Sequence, residues 1–182
     1  EHVRRFLIEN ACCWMNEYRF DGLRLDATHA LLDDSPRHLL EELTTAVRES
    51  ATPRTVWISA EDHRNLSTMM RARDEGGWGL DAVWADDLHH QLRRATAGDS
   101  EGYYADFTGT SVDIATTIRQ GWFYTGQRTV RDGEPRGTDP AGLAARAFVV
   151  CLQNHDQVGN RALGERLHHQ VEPAVWRALS AL

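Results

Sequence analysis

Gly22-Leu23-Arg24-Leu25-Asp26 decides the reading of the chain. Apolar and charged residues alternate across it with the two-residue period of a strand, Asp21-Gly22 supplies the turn before it, and it ends on a carboxylate. Two more stretches follow the same plan. Thr55-Val56-Trp57-Ile58-Ser59-Ala60 is rich in β-branched and aromatic residues and runs into Glu61. Ala147 to Leu152 is a continuous apolar run that leads through Gln153-Asn154-His155 to Asp156. Between them, Ala82-Val83-Trp84-Ala85 reads as a brief strand after the Gly76-Gly77-Trp78-Gly79 turn.

Helical patterns separate these runs. From His2 to Tyr18 the apolar positions Val3, Phe6, Leu7, Ala11, Trp14 and Tyr18 mostly recur at steps of three and four. Ser35-Pro36 offers an N-cap and a first-turn proline ahead of Leu39, Leu40, Leu43 and Val47. Asp86 or Asp87 is placed to cap a helix carrying Leu88, Leu92 and Ala95, and Thr110-x-x-Asp113 has the form of a capping box ahead of Ile114 and Ile118. Gly98 to Phe107, and the stretch between Gly126 and Pro140, read as loops.

Strands alternating with helices point to an α/β fold with a parallel sheet, because a parallel connection needs a long crossover. No Gly-x-Gly-x-x-Gly follows any strand, so nothing favours a dinucleotide-binding sheet. Acidic side chains do recur at the carboxyl ends of successive strands, where a (β/α)8 TIM barrel places its active site. Four strands fall short of the eight that close a barrel, usually over about 250 residues. The expectation is therefore that residues 1–182 form one incomplete catalytic barrel domain.

Composition narrows the function classes. With 41% hydrophobic and 26% charged residues the chain is globular in character, and no apolar run approaches the ~20 residues that cross a bilayer. The formal net charge of −7 opposes a phosphate backbone, so no nucleic-acid partner is expected. Cys12 and Cys13 are adjacent, where a mutual disulfide would be badly strained, and Cys151 stands apart. Reduced thiols and a cytoplasmic location are the simplest reading. The opening Glu1-His2-Val3-Arg4-Arg5-Phe6 lacks the pattern of a secretory signal. His29, His63, His89 and His90 invite a metal reading, but their spacing supports none.

Glycoside hydrolysis needs one carboxylate at the anomeric carbon and one carboxylic acid for the leaving oxygen, and Asp26, Glu61 and Asp156 are the candidates. Any one of them alone reads more often as a helix cap or a loop charge than as a catalyst. Three in matched places shift that balance.

These residues carry a family resemblance. Asp21-Gly22-Leu23-Arg24-Leu25-Asp26-Ala27 resembles the fourth-strand motif of the α-amylase family, Glu61 its fifth-strand acid/base glutamate, and Asn154-His155-Asp156 its seventh-strand motif. Ala60 to Asn65, Trp84 to His90, Gly98 to Tyr104, Gly121 to Gln127 and Gln153 to Leu167 are similar to the trehalohydrolase branch of that family, over nearly the whole chain. The resemblance places the four strands as barrel strands four to seven, with the early strands and the last one lacking. It implies a cytoplasmic retaining enzyme that cuts the α-1,4 bond joining trehalose to a maltooligosyl chain, with no cofactor and no metal. Asp26 would be the nucleophile and Glu61 the general acid/base. Asp156, His155 and Asn154 would grip sugar hydroxyls, and Arg24, on the same side of its strand as Asp26, would hold that carboxylate anionic. A glycogen branching enzyme would use the same acids to transfer the glycosyl group to a glucan, and a non-catalytic binding relative would keep the barrel without the chemistry.

Trp57, Trp84 and Trp176 read as core residues. Trp78, Trp122, Phe123 and Tyr124 lie in or beside loops, where they could stack on sugar or pack beneath the loop.

Overall fold

Four short strands pair in the order in which they occur along the chain: β1 (Gly22–Leu25), β2 (Trp57–Glu61), β3 (Ala82–Trp84) and β4 (Phe148–Val149). Every pairing is parallel. A sheet wound from one edge to the other, with no reversal of order, has no switch point of the doubly wound kind and matches successive strands of a barrel wall. The computed structural model describes residues 2–182, so Glu1, the first residue of the expected 1–182 domain, lies outside the described residues. Within this range the chain forms two compact units. The first runs to Trp84 and takes in Gly142–Val149, and the second comprises Ala85–Ala141 with Val150–Leu182.

The first unit holds the whole sheet. In parallel pairing, residues in register share a face, so Arg24 with Ser59 and Ala82, then Glu61 with Trp84, lie on one side. Leu25, Ala60 and Val83 lie on the other. Two helices serve this unit, α1 (His2–Asn16) and α2 (Leu39–Ala51), and they pack on each other. Leu40, Leu43 and Val47 recur at helical spacing along α2 and are buried, as are Met15 of α1 and Ile58, Ala60 and Val83 of the sheet.

α2 begins three residues later than Ser35-Pro36 suggests. Its start is made instead by Asp33, which accepts from the Leu39 N–H at 2.5 Å, and by His38 Nδ1, which accepts from the Leu40 N–H at 3.2 Å. Arg4 of α1 donates to both Asp33 oxygens, at 2.8 and 2.7 Å, tying the two helices together through this cap. Hydrogen bonds from Ser35, Leu39 and Arg4 draw the Asp33 carboxyl below the usual carboxylate range, with the Ser35 hydroxyl first among them. Trp78 stacks on the His38 ring at 3.8 Å and packs rather than standing free.

The second unit is built around Trp122, Tyr124, Phe107, Tyr104, Leu92 and Leu167, all buried. Its helices are α3 (Asp87–Thr96), α4 (Ser111–Gln120), α5 (His155–Gly159) and α6 (Pro173–Ala181). Thr110 caps α4 by accepting from the Asp113 N–H at 3.2 Å. The reciprocal half of the capping box is absent, because the Asp113 carboxylate takes the Thr108 hydroxyl instead. Asp86 stands at the N-cap of α3 but makes no side-chain cap. Asp87 is fully buried, and its carboxylate accepts from the Phe123 and Tyr124 N–H groups at 2.7 and 3.2 Å and from Arg136 at 2.6 Å. It pins the Gly121–Gln127 loop rather than capping a helix. None of the described helices is long and apolar enough to cross a membrane.

Candidate active site

The register places the first two acids side by side. Leu25 is opposite Ala60, so Asp26, the next residue, emerges level with Glu61 at the carboxyl end of the sheet. Glu61 is the last residue of β2 rather than the residue after it. Both acids meet one guanidinium: Arg24 Nη1 is 2.8 Å from Asp26 Oδ1 and Nη2 is 2.9 Å from Glu61 Oε2. The same guanidinium lies over the Trp84 ring, 4.0 Å from its centroid. Trp84 is thus a platform for Arg24 rather than a simple core residue. The planar fork of arginine suits this position, because it can face two carboxylates while its flat surface rests on an aromatic ring. Asp26 remains open, its side chain 75% exposed, whereas that of Glu61 is 23% exposed.

The turn after β1 completes the contact. Ala27 has a left-handed backbone, φ 45°, and from there its N–H donates to Glu61 Oε2 at 3.0 Å. For a residue with a Cβ this conformation costs roughly 1–2 kcal/mol, a strain that folded proteins concentrate at functional sites. Thr28, fully buried, donates its hydroxyl to the Glu61 carbonyl at 3.0 Å and to Asp62 Oδ2 at 2.8 Å. Asp62 in turn receives the Arg64 backbone N–H at 3.0 Å and its guanidinium at 2.6 Å. The loops that follow β1 and β2 are therefore locked to each other directly behind the two acids. The His29 and His63 rings of these loops meet edge to face at 4.3 Å. Among the described residues, no group of three or more histidines, cysteines, aspartates or glutamates is placed to hold a metal ion.

Asn154, His155 and Asp156 lie in the second unit, and their setting differs from the sequence expectation. Asp156 does not end a strand. β4 stops at Val149, and Asp156 sits in the first turn of α5. Asn154 is the N-cap of that helix: its Oδ1 accepts from the Asp156 N–H at 2.9 Å, and its own N–H donates to Gln157 Oε1 at 2.7 Å. This capping box turns the motif outward, leaving the His155 and Asp156 side chains 69% and 44% exposed and 3.6 Å apart. Of the loop aromatics, Trp122 and Tyr124 are buried packing residues, with Trp122 Nε1 donating to the Thr138 carbonyl at 3.2 Å.

Sequence reasoning missed the Thr28–Asp62–Arg64 lock and the Arg24–Trp84 stack. The position of Asp62 immediately after an expected catalytic glutamate was the available signal for the first. The shared strand face of Arg24 and Trp84 could not be read until the register was known.

No family model matches the chain. It is 47% identical over 169 residues to the malto-oligosyltrehalose trehalohydrolase of Deinococcus radiodurans, a match that covers 92% of this chain and 27% of that protein. The protein of the same name from Arthrobacter ramosus is 41% identical over 188 residues, covering 100% of this chain and 32% of its own length. A solved structure from Salmonella typhimurium, assigned provisionally as an alpha amylase, superposes with a TM-score of 0.91 at 37% identity, over 99% of this chain and 31% of that one. The four-stranded parallel sheet with its helices is thus a partial TIM barrel of the α-amylase type. The chain is similar to malto-oligosyltrehalose trehalohydrolases along nearly its whole length, and it spans about three tenths of the length of the curated relatives it matches.

Proposed function

We propose that this chain carries the nucleophile and the general acid/base of a retaining glycoside hydrolase that cleaves the α-1,4 bond next to the trehalose end of maltooligosyltrehalose and releases trehalose. The observation that supports the reading is the sharing of one guanidinium by Asp26 and Glu61 at the carboxyl end of the sheet. Retaining hydrolysis needs two carboxyl groups close enough to act on the same glycosidic bond, one open to the anomeric carbon and one beside the leaving oxygen. The exposed Asp26 suits attack. Glu61, more enclosed, suits proton transfer.

In the first step a carboxylate oxygen of Asp26 bonds to the anomeric carbon while the bond to the trehalose oxygen breaks and Glu61 gives that oxygen its proton. In the second, Glu61 takes a proton from water as the water oxygen bonds to the anomeric carbon and the ester to Asp26 breaks. Arg24 holds both carboxyl groups in register on Trp84 throughout. Asn154, His155 and Asp156 are assigned to the hydroxyls of the sugar being cleaved, where hydrogen bonds that tighten in the distorted transition state lower the barrier. The partner is an α-glucan ending in trehalose. The three unpaired cysteines suit a reducing, cytoplasmic setting.

The test is to incubate the gene's full-length product with maltooligosyltrehalose and, separately, with a plain maltooligosaccharide. Free trehalose from the first is the expected result. No trehalose, with new branches appearing in the plain glucan, would assign the same acids to a branching reaction instead.

A further inference from the structure

His89 has no part in the chemistry above, yet its ring is completely buried in the second unit. A buried imidazole needs partners on its nitrogens, and this one has two: Nε2 is 3.0 Å from Gln157 Nε2, and Nδ1 is 3.7 Å from Cys151 Sγ. The Gln157 amide is held in one orientation, because its Oε1 accepts from the Asn154 N–H at 2.7 Å. Its NH2 group therefore faces the ring. An amide NH2 only donates, so His89 Nε2 must be the bare acceptor and the ring proton must sit on Nδ1, towards the sulfur.

A Cys–His contact also suggests a nucleophilic pair. The surroundings oppose it: burial, with Asp86 and Asp156 nearby, pushes the Cys151 thiol up to about 11, and burial, with the charge of Arg93, pushes His89 down to about 3. Both groups stay neutral, so no thiolate is formed. A proton on Nε2 would moreover set two donors face to face.

We infer that His89 is a positioning residue for the Asn154-His155-Asp156 motif, acting through Gln157. The ring holds the Gln157 amide, the amide oxygen holds the Asn154 backbone, and Asn154 Oδ1 holds the Asp156 N–H at 2.9 Å. Three hydrogen bonds in series thus carry the orientation of one buried ring to the turn that presents His155 and Asp156. This inference rests on the sugar-binding role proposed for that motif.

The test compares two variants of the 182-residue chain and of the full-length product. His89→Leu keeps the bulk and removes the acceptor, whereas His89→Gln keeps an acceptor near the position of Nε2. In the unaltered chain, nitrogen NMR of the ring should report the Nδ1–H tautomer, a readout that needs no variant to fold. His89→Leu should shift the Asn154 and Asp156 amide resonances and lower kcat by about tenfold or more with a smaller change in KM, and His89→Gln should restore both. An Nε2–H tautomer would overturn the inference. So would a His89→Leu variant that melts earlier but leaves those amides and kcat unchanged, since the ring would then only fill space. If the unaltered full-length product acts on neither maltooligosyltrehalose nor a plain glucan while the tautomer and the amide shifts are as stated, the positioning stands and the sugar-binding role falls.

Discussion

At the scale of single residues, the Arg24 guanidinium brings together two acids of different exposure. It is 2.8 Å from Asp26, 2.9 Å from Glu61 and 4.0 Å from the centre of the Trp84 ring. Because the Asp26 side chain is 75% exposed, water screens this ion pair, and its contribution is to geometry more than to stability. Arg24→Lys separates the two effects. Lysine keeps a charge but is a single point on a flexible stem, unable to face both acids while stacked on an indole. Turnover in the full-length product should fall by about tenfold or more, while the melting temperature changes little, because the exposed Asp26 pair contributes at most about 1 kcal/mol and lysine keeps a charge beside Glu61. Steady-state kinetics and a thermal melt on the same preparation check this. A large loss of stability with unchanged turnover would contradict it.

At the scale of elements, what matters is how the loops after β1 and β2 are held. Asp62 is fully buried and takes hydrogen bonds from Thr28 and Arg64. Burial pushes its carboxyl up, but the hydrogen bonds from Arg64 and Thr28 outweigh it and leave it below its ordinary value. A depressed carboxylate stabilises the fold above the ordinary carboxylate range, about pH 4, and that contribution is lost as pH falls through the folded-state value. Asp62→Ala should therefore destabilise the chain by about 2–3 kcal/mol at pH 7, towards the lower end for a broken buried pair because Arg64 keeps some contact with water. The gap between native and variant melting temperatures should narrow below about pH 4. A gap of constant size across that range would show that the carboxylate charge is not what locks the loops. Elements were also where the sequence was partly legible. The two-residue period put Arg24 and Asp26 on one face, and the helical spacing of Leu40, Leu43 and Val47 marked the buried side of α2. The apolar run Ala147 to Leu152 misled, because a strand extends only as far as it has a partner, and the short β3 offers Val83 and Trp84 alone to β4. Asp156 consequently falls in a helix turn. Asp87 was misread as a cap because its partners, Phe123 and Arg136, are 36 and 49 residues away and leave no local trace.

At the scale of the whole molecule, the winding order of the sheet and the (β/α)8 comparison were foreseeable from alternating strands and helices, whereas the exposure of the α1 aromatics was not. α1 and the turn after it expose Val3, Phe6, Tyr18 and Phe20, each at least half accessible, and Trp14 packs against Tyr18 and Phe20 at 4.8 and 5.6 Å. Exposed apolar surface of this kind, on a unit whose first strand pairs on one side only, favours association. The 182-residue chain should self-associate as concentration rises, and Phe6→Glu with Tyr18→Glu should shift it towards monomer in sedimentation velocity. A native chain that stays monomeric at high concentration would contradict this. The central claim, that Asp26 bonds to sugar while Glu61 moves the proton, is tested most directly by trapping. A fluorinated maltosyl fluoride lets the glycosyl-enzyme form quickly and break down slowly, so the full-length product can be digested and its peptides weighed by mass spectrometry. The expected result is one glycosyl unit on the peptide containing Gly22 to Ala27, attached at Asp26 and absent in Asp26→Asn. A glycosyl unit on any other carboxylate, or hydrolysis with inversion at the anomeric carbon and no labelled peptide, would contradict the account.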